Sequence, residues 1–342
     1  HDGRITDNAR EKSDMTITSL ENTKPPAYVR LGRFLGDYPV LPLILLLLIM
    51  VGVLETMRPG IVSTFWLQNT IKFSIPLAML AACQMLTMLT GGIDLSAAIV
   101  ATVAAFVVAT VTPQYGATAG VLIALGAAAL VGLVNGIGVG VARVHPLIMT
   151  LGTGLIATGC LQVYQRFVIS SGSDIPNFLE WLGTGRTSFL PNGLYLFVPF
   201  ALIILLGLKY TGFGRLLYAV GSNEHATKLS GVRSWQVFIA LYLLTAVIAG
   251  LTGLLYVGMI RVPSLSLANP LLLPSVAAAV IGGTSIFGGR GSYSGTIVGA
   301  LILTVLGTLL TLLQMPEGAR RILFGLIILA VTTLYVRFTT NR

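Results

Sequence analysis

Apolar positions in this chain run together in long blocks, and the polar positions collect in the gaps between them. A helix that crosses hydrocarbon about 30 Å thick uses about 20 apolar residues, with a range of about 17 to 25. On that measure the blocks predict ten spans, at 38–54, 73–90, 95–112, 117–142, 146–165, 193–210, 236–259, 274–287, 295–314 and 320–337. The eighth, "PSVAAAVIGGTSIF", holds only fourteen residues with a Gly pair inside. It reads as a short or broken helix, a form tolerated where protein or a water-filled cavity covers its free backbone groups. The pattern therefore predicts an all-α, polytopic membrane protein of about ten helices, with the irregular one near 274–287.

Composition agrees, since 55% of the 342 residues are hydrophobic and 10% are charged, against about 25% charged in soluble domains. The net charge of +9 comes from Lys and Arg at segment ends, without the basic stripe and interleaved aromatics of a nucleic-acid binder. Cys83 and Cys160 both lie in apolar runs and suggest no disulfide. With ten spans both ends of the chain share a side. Fourteen of the 21 Lys and Arg fall on that side, which predicts cytoplasmic termini. Residues 1–36 then form a cytoplasmic tail, in which the stretch before Met15 reads as an extension, and 37–342 form one membrane domain.

Two connections are long. Residues 166–192 fall outside, with Phe178 and Trp181 spaced for an interfacial helix. Residues 211–235 fall inside, where Ser222 or Asn223 can cap a short helix, "EHATKLS", that Gly231 terminates. That helix carries Glu224, His225, Lys228 and Arg233 around Ala226 and Leu229. It is either a solvated loop or a docking knob for a cytoplasmic partner.

The glycine-rich stretch "GGTSIFGGRGSYSG" at 282–295 resembles the start of a phosphate-binding loop, because Gly283 and Gly288 frame four residues. Such a loop needs Lys and then Ser or Thr after its last Gly, and a strand before it. Gly289 and Arg290 come next instead, so the glycines suit a broken helix and a tight turn. Within the spans, Gly132, Gly136 and Gly140 form a ridge of bare backbone at helical spacing, suited to close helix packing. The polar groups Gln84, Asn135, Thr150, Thr153 and Gln162 either line a cavity for a hydroxyl-rich solute or bond a neighbouring helix. Asp94, a carboxylate beside apolar segments, either caps the helix that starts near Ser96 or serves a pathway or gate. No constellation of His, Asp, Glu or Cys at motif spacing points to catalysis or to a metal, so no enzyme is expected.

Four stretches in matching order carry a resemblance to a known family. They are "GGIDLS" at 91–96, "HPLIMTLGTGLI" at 145–156, "GRLLYAVGSNEHATKLSGV" at 214–232 and "IGGTSIFGGRGSYSGTIVGALIL" at 281–303. Together they resemble the ribose, xylose and arabinose type permeases of bacterial ATP-binding-cassette importers. The resemblance implies a multi-pass permease subunit of the inner membrane that moves a sugar or similar polyhydroxy solute. It implies two cytoplasmic ATPase domains that hold the ATP and Mg, a periplasmic solute-binding protein, and a second permease in a homodimer or heterodimer. On this reading the chain itself holds no cofactor.

Residue by residue, Gly214, Arg215, Asn223, Glu224 and Gly231 match the family's ATPase-coupling loop. Gly91, Gly92, Asp94 and Ser96 match its second-span motif, and Gly282, Gly283, Gly288 and Gly289 its glycine-rich segment, with a possible gating role. Where the family has Glu-Leu-Asp, this chain has Leu272, Leu273 and Pro274, a departure that suggests an unusual solute or pairing with a different permease. The alternative function is an ion-coupled secondary transporter of a small polar solute, which broken helices suit equally.

Overall fold

The computed structural model describes residues 40–168 and 173–316, with 318–320, 322, 323, 325, 326 and 329. The chain divides into units 1–42 and 43–342. The tail at 1–36, the start at Met15 and most of the tenth span at 320–337 lie outside the described residues. The second unit holds the helices of the bundle. They are α1 (Val40–Met57, which begins in the first unit), α2 (Thr64–Leu89), α3 (Ala97–Gly140), α4 (Pro146–Val168), α5 (Asn177–Thr184), α6 (Gly193–Tyr210), α7 (Gly212–Ser222), α8 (Glu224–Leu229), α9 (Ser234–Ile260), α10 (Leu272–Ile281) and α11 (Tyr293–Leu312). A two-residue hairpin pairs β1 (Arg186–Thr187) with β2 (Leu190–Pro191), antiparallel. Among the described residues seven helices are long and apolar enough to cross a membrane. The protein is all-α and polytopic.

The 44 residues of α3 would reach about 66 Å if straight, at 1.5 Å per residue, twice the hydrocarbon thickness. They do not run straight, because Gly116 sits at φ 80° and ψ 167°, outside any helix. Beyond that break Gly120 lies against Thr112 and Val108, and Asn135 reaches back to Ser96. The two halves of α3 therefore run antiparallel, at the places where the apolar pattern separates 95–112 from 117–142.

α2 and α9 form the interior. From Ser74 to Leu89 every residue of α2 is buried, consistent with a helix apolar on all sides. α9 packs most extensively on α3, along the glycine ridge. A Cβ at Gly136 would stand 2.7 Å from Ile239 Cα, and one at Gly140 2.8 Å from Trp235 O, so side chains there would force the helices apart. Gly253 of α9 lies on the backbone of Ala101 in the same way. Helices in lipid gain no hydrophobic drive by meeting, so this close van der Waals approach holds them.

The eighth span is shorter than its pattern suggests. α10 ends at Ile281, and Gly283 at φ 89° turns the chain into a loop that lasts to Ser292. Ten residues rise only about 15 Å, a half crossing. Its backbone is covered by α2 and α11, where Gly299 meets Ala278 and Gly282 meets Gly295 and Thr296. The loop at 211–235 also differs from expectation, because α7 precedes the short helix α8. Thr211 accepts the Gly214 N–H at 3.1 Å and starts α7 directly after α6.

Gly253→Ala presses a methyl group into the Ala101 backbone and is expected to destabilise the solubilised protein by about 2 kcal/mol. Gly126, with nothing within 4 Å of a Cβ, accepts alanine without loss. Thermal unfolding in detergent, followed by size-exclusion recovery, compares the two variants.

Candidate functional site

A polar seam runs through the bundle. Gln84 of α2, fully buried, grips the backbone of Asp94, donating from Nε2 to its carbonyl at 2.7 Å and accepting its N–H at 3.3 Å. The Asp94 carboxylate accepts the Ser96 N–H at 2.9 Å and the Ser96 hydroxyl at 2.6 Å. Ser96 Oγ accepts from Asn135 Nδ2 at 2.9 Å, and Asn135 Oδ1 accepts the Thr153 hydroxyl at 2.6 Å. Thr150 accepts the Leu95 N–H at 3.1 Å and donates to the Ile93 carbonyl at 3.2 Å. Six side chains from α2, the 91–96 turn, the second half of α3 and α4 are thereby joined. Each is under a tenth exposed. Gln162, the fifth polar group singled out in the spans, stands apart on the exposed face of α4.

Below this seam three stretches of backbone meet. The Leu89 carbonyl, at the end of α2, accepts the Gly289 N–H at 2.9 Å. Gly221 of α7 lies on that same carbonyl so closely that no side chain fits. Gly288, at φ 92°, has room for only a hydrogen, since a Cβ would stand 2.6 Å from Gly221 O and 3.1 Å from Gly91 N. Gly91 faces the Phe287 carbonyl, and Gly289 lies on Ser222. At Gly92 a side chain would press on the Pro146 ring and on the hydroxyl of buried Tyr242, which has no hydrogen-bond partner among the described residues. Tyr218 of α7 adds a hydrogen bond to the Gly291 carbonyl at 2.8 Å.

The loop beyond this junction is also tied to the bundle. Asn223 caps α8, accepting the Ala226 N–H at 2.9 Å, while Ser222 instead bonds the Tyr218 carbonyl. Gly231 follows the helix at φ 84°. Glu224 bonds Arg143 at the end of α3, Lys228 at 2.9 Å, and the Ser234 hydroxyl at 2.8 Å at the start of α9. Partial burial raises the Glu224 pKa, but the bonds from Lys228, Ser234 and Arg143 and the Arg143 charge outweigh it and bring it to about 2. Gly214 is buried against the Leu208 backbone, and Arg215 is exposed.

In the sequence Arg143 reads only as a topological charge, and Gly221, Tyr242 and Ser234 carry no role. A signal exists for Gly221, which stands inside the loop motif at 214–232. The pairing of Glu224 with Arg143, 81 residues away, leaves none.

A bundle of apolar helices of spanning length, sewn together by a polar seam and carrying one braced polar loop, defines a polytopic membrane protein. The comparisons agree. Residues 66–332 match the family described as the branched-chain amino acid transport system / permease component. The chain is 33% identical over 291 residues to the ribose import permease protein RbsC of Escherichia coli (strain K12), covering 83% of this chain and 89% of that one. It is 30% identical over 326 residues to the fructose import permease protein FrcC of Rhizobium meliloti, covering 93% and 91%. It is 31% identical over 260 residues to the galactofuranose transporter permease protein YtfT of Escherichia coli (strain K12), covering 75% of each. No solved structure matches. The chain belongs to this permease family and is a permease subunit of the ATP-binding-cassette import type.

Asn135→Ala removes the donor to Ser96 and the side-chain acceptor of Thr153, the two bonds that join α3 to the 91–96 turn and to α4, and is expected to cost about 1–3 kcal/mol, whereas Gln162→Ala leaves thermal stability unchanged. Thermal shift of the purified protein measures both. For Glu224 the folded pKa is depressed, so its contribution is present above the unfolded value of about 4.5 and is lost as pH falls from there through about 2. Hydrogen exchange of α8, corrected for intrinsic rates, is expected to report constant protection from pH 7 to about 4.5 and increasing opening below it. Glu224→Gln brings that opening to neutral pH.

Proposed function

We propose that this chain carries a sugar or similar polyhydroxy solute across a bacterial inner membrane. In this reading it has ten spans with both termini cytoplasmic. It takes solute from a periplasmic binding protein, pairs with a second permease, and is driven by ATP and Mg held in a separate ATPase. The family description names branched-chain amino acids, but the three relatives are named for ribose, fructose and galactofuranose, which favours a hydroxyl-rich solute.

The observation that carries the mechanism is the bracing of the α7–α8 loop. Arg143 ties Glu224 to α3, and Gly221 seats α7 on the Leu89 carbonyl, two contacts that join this loop to the core of the bundle. Nucleotide in the partner can shift the permease between states only through differential affinity for them. A loop locked to α2, α3 and the 282–292 turn can convey that difference; a loose one cannot. Gly214, Arg215, Asn223, Glu224 and Gly231 form the coupling element, and Gly91, Gly92, Gly282, Gly283, Gly288 and Gly289 the turns that reposition when the bundle opens. Gln84, Asn135, Thr150 and Thr153 are bonded within the seam, Thr153 also lines a cavity between α3 and α4, and together with Gln162 on the outward face of α4 they are the pathway candidates. The ion-coupled alternative, which broken helices suit equally, would need an ionisable pathway, and the carboxylate of Asp94 is engaged by Ser96.

In proteoliposomes that contain the permease, its ATPase and its binding protein, uptake of labelled ribose or fructose is expected to require ATP and to resist uncouplers. Uptake abolished by uncouplers would establish the ion-coupled reading instead. Gly231→Val strains a φ of 84° by about 1–3 kcal/mol and lowers uptake while membrane insertion persists.

A further inference from the structure

We infer that the cavity where α6 ends holds the headgroup of an anionic phospholipid. It has a volume of about 280 Å³ and is lined by Leu205, Leu208 and Lys209 of α6, Tyr218 of α7, and Ser292 and Tyr293 at the start of α11. A water takes about 30 Å³, so the space suits a phosphate with a glycerol arm. Lys209 supplies the charge. It is exposed in the last turn of α6, and among the described residues it forms no ion pair. Glu224, the carboxylate nearest to it along the chain, is held by Arg143 and Lys228. Ser292 Oγ lies 2.7 Å from Ser294 Oγ, so one hydroxyl donates to the other and one proton of the pair is left for an incoming oxygen. Tyr218 donates its proton to the Gly291 carbonyl at 2.8 Å, which leaves its oxygen to accept one.

The surroundings favour a lipid over a free phosphate. α6 is one of the helices of spanning length, and the polar loop starts directly after it, so Lys209 stands where the chain leaves hydrocarbon. Leu202, Leu206 and Lys209 follow one another at helical spacing on one face of α6, and Leu202, Ile203 and Leu206 are half-exposed or more. That stripe offers an acyl chain a path that ends at the cation. Basic pockets between spanning helices take anionic headgroups in this way. The lining also selects among headgroups. It holds no carboxylate, so the ammonium of phosphatidylethanolamine would meet Lys209 with like charge and no partner. The glycerol of phosphatidylglycerol carries hydroxyls that Tyr218 and the serine pair can bond. An occupant also touches Tyr218, whose bond to Gly291 ties α7 to the glycine turn, and so steadies that junction.

The test uses the purified full chain in detergent, with phosphatidylglycerol as probe and phosphatidylethanolamine as its zwitterionic counterpart. Native mass spectrometry reads binding, and thermal shift reads the melting temperature. The wild type is expected to bind phosphatidylglycerol more tightly than phosphatidylethanolamine and to melt higher in its presence. Lys209→Gln is expected to weaken that binding about fivefold, Lys209→Arg to restore it, and Ser292→Ala to weaken it less. Lys72→Gln, on α2 and outside the cavity, leaves it unchanged. Equal affinity of the wild type for the two lipids overturns the site, as does undiminished binding in both Lys209→Gln and Ser292→Ala. An equal loss in Lys72→Gln and Lys209→Gln reports adsorption to overall charge and also overturns it. Displacement of phosphatidylglycerol by soluble glycerol 3-phosphate at matching concentration assigns the cavity to a free phosphate ester and overturns the lipid as its occupant.

Discussion

A polar group within hydrocarbon has no water to bond, so it either finds a partner inside the protein or costs several kcal/mol. The rest of this bundle depends on how that constraint is met. Gln84, Asp94, Ser96, Asn135 and Thr153 satisfy one another in a chain that crosses four segments, and Thr150 fastens the same turn from α4. Because Gln84, Asn135, Thr150 and Thr153 each bond a residue on another element, the seam fixes how α2, the turn that leads into α3, the second half of α3 and α4 sit together. Pure apolar packing, which is non-directional, would leave that choice weakly determined.

The second element of the design is close backbone approach. Glycines allow α9 to touch α3, α11 to touch α10, and α7 to rest on the end of α2. At Gly288 and Gly221 the approach places the glycine turn, the loop helices and α2 in one junction. The Asp94 turn starts just beyond that junction, so the seam and the loop are mechanically continuous. Glu224 adds a second attachment, to the ends of α3 and α9. A displacement of α8 therefore reaches the interior through two routes, which is the property a coupling element requires.

Much of this is legible in the chain. The apolar runs mark the two halves of α3 separately, although helical hydrogen bonding resumes so soon after Gly116 that the two form one segment with a single break. The ridge of Gly132, Gly136 and Gly140 announces a helix contact, and Gly231 announces the end of α8. Asn223 is one of two possible caps, and Ser222 loses because its hydroxyl bonds back into α7. The apolar pattern makes the eighth span short but carries it too far along, because Ser285, Ile286 and Phe287 continue the pattern through a loop whose course Gly283 has already turned.

Local pattern by itself determined the class, the number of apolar runs and the turns, because burial in lipid and left-handed backbone each demand particular residue types at one position. The tertiary structure alone decided the partners. That Asn135 bonds Ser96, that Arg143 braces Glu224, and which carbonyl Gly221 rests on are all decided by residues tens of positions away. A sequence records each residue's chemistry but not the distance between two of them, and hydrogen bonds and ion pairs act only at contact.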